Sequence, residues 1–265
     1  SISYSIVDIS LNGGLGDVVV GSKNIPILAG CGESVTSVLS ADGSFWWIIM
    51  QPKGTNSFYA YKLNSTGVQP SPTISQAGSI TNTNGDIGYL KTNASGTRLA
   101  RSSYFDGYSE VYNFNKSTGI VSNAIKLIQP SCYGIEFSPN SNLLYVNSYS
   151  NQLYQYDLTQ NTESLINSTR YLVYSGVVAG VQSAPDGKIY AISSASFLHT
   201  INNPNTIGAS CNFVANQQSI SGTVGAGLPN IVSAFVSTGP PVLVSLTSTD
   251  ITTTTATIGA TVSTD

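Results

Sequence analysis

Four stretches of the chain share one pattern of apolar and polar positions. They are 38–49 (Val-Leu-Ser-Ala-Asp-Gly-Ser-Phe-Trp-Trp-Ile-Ile), 90–100 (Leu-Lys-Thr-Asn-Ala-Ser-Gly-Thr-Arg-Leu-Ala), 135–146 (Ile-Glu-Phe-Ser-Pro-Asn-Ser-Asn-Leu-Leu-Tyr-Val) and 181–191 (Val-Gln-Ser-Ala-Pro-Asp-Gly-Lys-Ile-Tyr-Ala). Each is an apolar run, a turn of Asp, Asn, Ser and Gly, and a second apolar run. The turn centres Gly43, Gly96, Ser141 and Gly187 lie 53, 45 and 46 residues apart. A period of about 40–50 residues, with a strand on each side of a tight turn, is the spacing of propeller blades.

Between these motifs come further alternating runs: 58–63 (Phe-Tyr-Ala-Tyr-Lys-Leu), 110–114 (Glu-Val-Tyr-Asn-Phe) and 152–158 (Gln-Leu-Tyr-Gln-Tyr-Asp-Leu). Their period of two predicts strands with one buried face. Polar turns follow them at 64–67 (Asn-Ser-Thr-Gly), 115–119 (Asn-Lys-Ser-Thr-Gly) and 159–162 (Thr-Gln-Asn-Thr). One repeat therefore reads strand, Asp-Gly-type turn, strand, loop, strand, Ser-Thr-Gly-type turn, strand, which is a four-stranded blade. Unrelated hairpins in a sandwich would not keep this order. The fold class expected is all-β, a β-propeller of four-stranded blades, with about five blades' worth present.

Composition adds to this picture. Only 9% of the 265 residues are charged and the net charge is −3, so hydroxyls and amides supply the polar surface, as in many extracellular β-proteins. Ten basic residues against thirteen acidic ones, with no basic cluster, argue against a nucleic-acid partner. No apolar run approaches the length of a spanning helix, so membrane insertion is not expected. No Met begins the chain, which suits a processed or excised polypeptide. Cys31, Cys132 and Cys211 make neither a disulfide framework nor a CxxC zinc site. They read as buried thiols, with one disulfide and a leftover thiol the alternative.

The chain divides by composition. Residues 1–238 carry the propeller pattern. Residues 239–265 open on Gly-Pro-Pro, a stiff linker, and continue in a Thr- and Val-rich stretch with room for two strands. That stretch looks like the start of a fibronectin-III or immunoglobulin-like sandwich.

Several segments together resemble a known family. They include 4–18 (Tyr-Ser-Ile-Val-Asp-Ile-Ser-Leu-Asn-Gly-Gly-Leu-Gly-Asp-Val), 88–91 (Gly-Tyr-Leu-Lys), 133–139 (Tyr-Gly-Ile-Glu-Phe-Ser-Pro), 185–190 (Pro-Asp-Gly-Lys-Ile-Tyr), 201–204 (Ile-Asn-Asn-Pro) and 227–230 (Gly-Leu-Pro-Asn). The family is the β-propeller domain of secreted and cell-surface proteins of Bacteroidota, related to gliding-motility adhesins and exported by type IX secretion. The resemblance implies an extracellular location, a ring of seven blades and further domains in the same polypeptide. It implies glycan or protein ligands, with the secretion or motility machinery as a further candidate partner. Here the family's upstream blades and C-terminal sorting domain have no counterpart.

Enzymatic chemistry finds little support in the residues. The segment 40–46 (Ser-Ala-Asp-Gly-Ser-Phe-Trp) is one residue short of a sialidase box between Asp and Trp, and reads as an Asp-Gly hairpin turn. His199 is the single histidine, with no second base or ligand near it in sequence. Five residues before each turn centre stand Val38, Lys91, Glu136 and Gln182, a column expected along the central channel. It offers one carboxylate where glycosidases use two, so Lys91 and Glu136 are expected to form a structural ion pair. No cofactor is called for. Asn82, Asn84 and Asp86 place oxygen side chains at alternate positions, a thin calcium candidate beside ordinary turn chemistry.

Binding is the better expectation. Loops after each second strand and the connections between blades should meet on one rim. They bring Tyr104, Phe105, Tyr108, Tyr133 and Tyr149, with Lys53, among Ser and Asn. Aromatic faces beside neutral hydrogen-bonding groups suit sugars or a protein partner; the same rings could instead pack loops onto neighbouring blades. The function expected is a non-enzymatic extracellular adhesion module. The alternatives are a structural or assembly part of the secretion or gliding apparatus, or a carbohydrate-active enzyme.

Overall fold

The computed structural model describes residues 1–83, 87–128, 132–148, 151–192, 196–225 and 227–228, and the backbone pairing of two later strands. Short strands come first: β1 (Ile2–Tyr4), β2 (Val7–Asp8), β3 (Asp17–Val18) and β4 (Ile25–Leu28), with β1 paired to β4 and β2 to β3. Four antiparallel sheets follow in chain order. The first holds β5 (Cys31–Leu39), β6 (Trp46–Pro52), β7 (Ser57–Asn64) and β8 (Gly67–Val68), with β9 (Thr73–Gln76) also pairing β7. The second holds β10 (Leu90–Thr92), β11 (Arg98–Ser103), β12 (Tyr108–Asn115) and β13 (Ile120–Ile128). The third holds β14 (Cys132–Phe137), β15 (Leu143–Ser148), β16 (Gln152–Asp157) and β17 (Tyr171–Ser175). The fourth holds β18 (Val181–Ser183), β19 (Ile189–Ile192), β20 (Phe197–Ile201) and β21 (Phe213–Ser219). Further on, β22 (Val242–Thr249) pairs antiparallel with β23 (Thr257–Ser263). The fold is an all-β propeller. Four blades are complete sheets among the described residues; the N-terminal strands form two separate two-stranded sheets.

The predicted turns form because their side chains close them. All four centres adopt positive φ: Gly43 at 74°, Gly96 at 69°, Ser141 at 64° and Gly187 at 76°. Asp42, Asn140 and Asp186 each accept a hydrogen bond from the backbone N–H two residues on, at 3.1 Å in all three cases. In the first and third blades a serine two residues before that acceptor, Ser40 or Ser138, donates to it at 2.7 Å. Such side chains mimic a backbone turn, so the same local chemistry recurs in different blades. The 40–46 segment is accordingly a hairpin turn, and hydrogen bonds, first that from Ser40, lower the Asp42 carboxyl to about 2.

The core lies between sheets. Trp47, Ile49 and Phe58 of the first blade meet Leu90, Leu99 and Tyr112 of the second. Ala100, Val111 and Leu127 of the second meet Ile135, Leu144 and Tyr156 of the third. Leu143, Tyr145 and Leu153 of the third meet Val181, Ile189 and Ile201 of the fourth. Each strand alternates sides, so every interior sheet buries both faces against its two neighbours. Of the adjacent tryptophans, Trp47 fills the first of these interfaces and donates from its indole to the Lys116 carbonyl at 2.7 Å, while Trp46 stays partly exposed.

Two details depart from expectation. Val38 lies in the core between the first two blades with Trp47 and Leu90, not in the polar axial cluster. An apolar side chain at that register gains more by joining an interblade core than by facing polar groups. In the third blade the turn after β16 leads into a short helix, Glu163–Ser168, capped by Thr162, whose side chain accepts from Leu165 N–H at 3.2 Å. The helix covers the outer edge of the second blade. Glu163 accepts from Lys126 N–H at 2.9 Å, and Asn167 accepts from Ile128 N–H at 2.8 Å and donates to the Lys126 carbonyl at 2.8 Å. These bonds satisfy an edge strand that would otherwise present unpaired backbone.

Candidate functional site

A cavity of about 670 Å³ opens where loops of three blades converge. Its walls include Ile87 and Tyr104 at the second blade, Tyr133, Asn147 and Asn151 at the third, Val177–Ala179 before the fourth, and Val224 and Gly225 after it.

Each wall is positioned by identifiable bonds. Tyr104 follows β11 and its N–H donates to the Ile87 carbonyl at 2.9 Å. The loop that carries it is held by Asp106, which accepts from the Ser103 hydroxyl at 2.8 Å and from Arg101 at 3.5 Å. Arg101 is fully buried and also pairs with Glu110 at 3.3 Å. Glu110 in turn accepts from the Tyr112 hydroxyl at 2.5 Å and from Ser79 N–H and hydroxyl at 2.9 and 2.8 Å. A buried charge needs such saturation, because an unpaired one is expensive to desolvate.

On the third blade the Tyr133 carbonyl accepts from the Ser102 hydroxyl, and its ring lies 5.2 Å from that of Tyr89. Burial, and then the neighbouring Tyr133, push the Tyr89 hydroxyl up to about 12. Burial also raises the Tyr133 hydroxyl, with Glu33 adding to it. Both phenols stay neutral hydrogen-bonding groups at ordinary pH. Asn147 binds three segments together: it accepts from Gly134 N–H and donates to the Val178 and Ala179 carbonyls at 2.6 and 3.1 Å. Behind that wall, His199 Nε2 is 3.0 Å from the Val177 carbonyl, while Nδ1 accepts from Asn216 N–H at 3.0 Å. These partners fix the neutral tautomer with hydrogen on Nε2. Burial lowers the histidine's pKa against a smaller opposing effect of the Val177 carbonyl. His199 is a bracing core residue.

The structure brings only part of the expected rim set together. Tyr104 and Tyr133 share the cavity. Phe105 meets Tyr104 edge-on with centroids 5.1 Å apart and is exposed, but does not line the cavity. Tyr108 turns to the flank of its own blade, with Lys126 Nζ 3.9 Å from its ring centre. It starts β12, where strand alternation sets it on a face of the sheet beside Lys126 and not in the rim. Lys53 sits in the turn between β6 and β7, partly buried, and is not among the lining residues. Tyr149 lies outside the described residues, as do Asn84 and Asp86 of the calcium candidate.

The wall formed by Val177, Val178 and Ala179 was not signalled as a site. Its one sequence cue is an apolar run placed in a connection between strands, where Val177 is 44% exposed. Among the described residues that line it, the cavity has no charged side chain. It offers aromatic faces, phenolic hydroxyls, an exposed Asn151 and an aliphatic floor. The three cysteines, Cys31, Cys132 and Cys211, are buried.

No family model matches this chain, and no curated protein matches it. Solved structures do. A candidate 6-phosphogluconolactonase from Bacteroides fragilis aligns with a TM-score of 0.52 at 11% identity, over 82% of this chain and 65% of that one. A candidate 6-phosphogluconolactonase from Bacteroides uniformis aligns at 0.46 and 10% identity, over 68% and 56%. The PQQ domain of pyranose dehydrogenase from Coprinopsis cinerea aligns at 0.47 and 16% identity, over 64% and 46%. The chain thus spans about half to two thirds of the length of the solved structures it matches. At such identities the first of these likenesses shows a shared fold, one that enzymes also use, and nothing about activity. No helix among the described residues is long and apolar enough to cross a membrane.

Proposed function

We propose that this propeller is a non-enzymatic binding module that takes an uncharged, hydroxyl-rich ligand, a glycan, in the rim cavity. The supporting observation is the cavity itself. It joins Tyr104, Tyr133 and Asn151 to an aliphatic wall at the meeting point of three blades, with no charge among its described lining residues. Sugar rings stack their apolar faces on aromatic side chains while their hydroxyls meet amides and phenols. The family resemblance in the sequence supplies the setting. The module then belongs to a larger surface or secreted bacterial protein, an adhesin related to gliding motility and exported by type IX secretion.

The test is a screen of the chain on an array of neutral glycans, followed by calorimetric titration of the best soluble hit. Tyr104→Ala is expected to weaken that hit at least about tenfold, or about 1.4 kcal/mol, with the fold unchanged by circular dichroism. Absence of saturable binding to any neutral glycan, or a hit indifferent to Tyr104→Ala, overturns the reading.

A second reading, a structural or assembly part, draws on one observation. In the turns beside β2 and β3, Ile9, Leu15 and Val20 are 81, 85 and 98% exposed. Apolar side chains this exposed in one short segment suit cover by another protein surface. Strands of a neighbouring domain of the same polypeptide are the cover this reading requires. It gains if protease protection of 6–20 appears in the longer native protein and no glycan binds.

A further inference from the structure

The centre of the ring holds a reactive arrangement separate from the rim cavity. Lys91, Glu136 and Gln182 come from β10, β14 and β18, the first strands of three successive blades, at the same distance before each turn. They are 2, 2 and 7% exposed. Lys91 Nζ lies 2.5 Å from Gln182 Oε1 and 3.4 Å from Glu136 Oε2. Its other side faces the Tyr89 ring, 5.4 Å away.

We propose that these three residues form an intramolecular isopeptide bond, between Lys91 Nζ and Gln182 Cδ, with Glu136 as the proton carrier. The nucleophile already hydrogen-bonds the carbonyl oxygen of the electrophile. With a carbonyl bond of about 1.23 Å, the Nζ contact with Oε1 puts Cδ within about 3.7 Å of the amine, close to a near-attack separation. Glu136 is fixed for its part, since Oε1 accepts from Phe137 N–H and Oε2 from Ser183 N–H, each at 3.2 Å. Gln182 is oriented too: its Nε2 donates to the Ser183 carbonyl at 3.2 Å, which leaves the carbonyl end toward the lysine.

The step balances without an outside reagent. The Lys91 ammonium gives one proton to the Glu136 carboxylate, and the resulting amine attacks Gln182 Cδ. The tetrahedral centre loses its second amine proton through Glu136 to the carboxamide nitrogen. The Cδ–Nε2 bond breaks and that nitrogen departs as ammonium, carrying both protons, so the carboxylate is restored. One C–N bond forms, one C–N bond breaks, and nothing is oxidised or reduced. Holding amine, carboxamide and proton carrier in one enclosed site replaces a bimolecular encounter with an intramolecular one. The product ties the second blade to the fourth across the axis. The bond would brace two blades that are not neighbours in the chain.

The experiment is intact-mass spectrometry of the full chain under denaturing conditions, followed by sequencing of its proteolytic fragments. The expected result is a mass lower than the sequence mass by one ammonia and a branched peptide joining Lys91 to Gln182. Lys91→Arg and Glu136→Gln should each show its own full sequence mass. A wild-type chain at full sequence mass overturns the proposal. So does an ammonia loss that maps elsewhere, such as a succinimide at Asn84-Gly85. The wild-type measurement decides the matter even if a variant does not fold.

Discussion

The second and fourth blades share an architecture and differ in what they bury. The second buries formal charge: Arg101 with Glu110 and Asp106, and Lys91 with Glu136 of the third blade. The fourth buries neutral polar groups: Gln182, Thr200 and a His199 held between a carbonyl and a backbone N–H. Both solutions give their polar side chains partners, but they fail differently. Removing one member of an ion pair strands a charge in a medium that solvates it poorly. A neutral group in the same setting loses one hydrogen bond, and becomes a liability only when it takes up a proton.

Breaking the charged set should therefore give the largest effect. Glu110→Ala takes from Arg101 a carboxylate nearer to it than that of Asp106 and removes the acceptor of Ser79 and Tyr112. The expected loss is about 3–5 kcal/mol of unfolding free energy, measured by urea denaturation. Glu110→Gln should recover part of it, since the amide oxygen still accepts from Ser79. An equal loss in both variants would place the energy in packing and not in charge.

The turns sharpen the same comparison at intermediate size. Gly96 and Gly187 occupy equivalent positions at φ 69° and 76°. A Cβ on Gly96 would meet Val38 of the first blade at 2.2 Å, whereas one on Gly187 meets nothing within 4 Å. Gly96→Ala should cost about 2–4 kcal/mol, overpacking added to the left-handed backbone strain. Gly187→Ala should cost about 1 kcal/mol, the backbone strain alone. Equal costs would mean that Val38 yields and that the interface is softer than its packing suggests. Ser141 carries that strain already, at φ 64°, so Ser141→Gly should gain about 0.5 kcal/mol.

The smallest effect is a slope with pH. Burial holds the folded His199 below its ordinary value of 6.5. Below about pH 6.5 the unfolded chain therefore binds a proton that the folded chain resists, and stability falls with pH until the folded histidine is protonated as well. Above that pH the group contributes no slope. Urea midpoints measured from about pH 5 to pH 8 should show this acid limb in the wild type, and His199→Gln should flatten it. An unchanged limb would assign the acid sensitivity to groups other than this histidine.

Much of this was legible along the chain, and the reasons are local. The four turn centres follow from Asp, Asn, Ser and Gly chemistry over a few residues, and the strands on either side from period-two alternation. The Lys91–Glu136 pair was legible as well, because blades that repeat in sequence repeat in space, so a shared register becomes a shared position at the axis. The short helix 163–168 was missed. Its one strong signal is the Thr162 cap, and its stability comes from Ile166 entering the core and from bonding to the neighbouring blade's edge.

The candidate site was only half legible. Tyr104 and Tyr133 could be placed on a rim because they sit in loops after or before identifiable strands. The turning away of Tyr108 and the bracing of Val177–Ala179 by Asn147 and His199 depend on side-chain contacts between segments distant in the chain. The sequence alone determined the repeat, the strands, the turns and the axial register, since each rests on backbone preferences within a few residues. The tertiary structure alone decided which apolar side chains meet between sheets, which loop residues share a cavity, and how near Lys91 comes to Gln182. Those depend on the approach of segments some 90 residues apart in the chain, a distance over which no local preference acts.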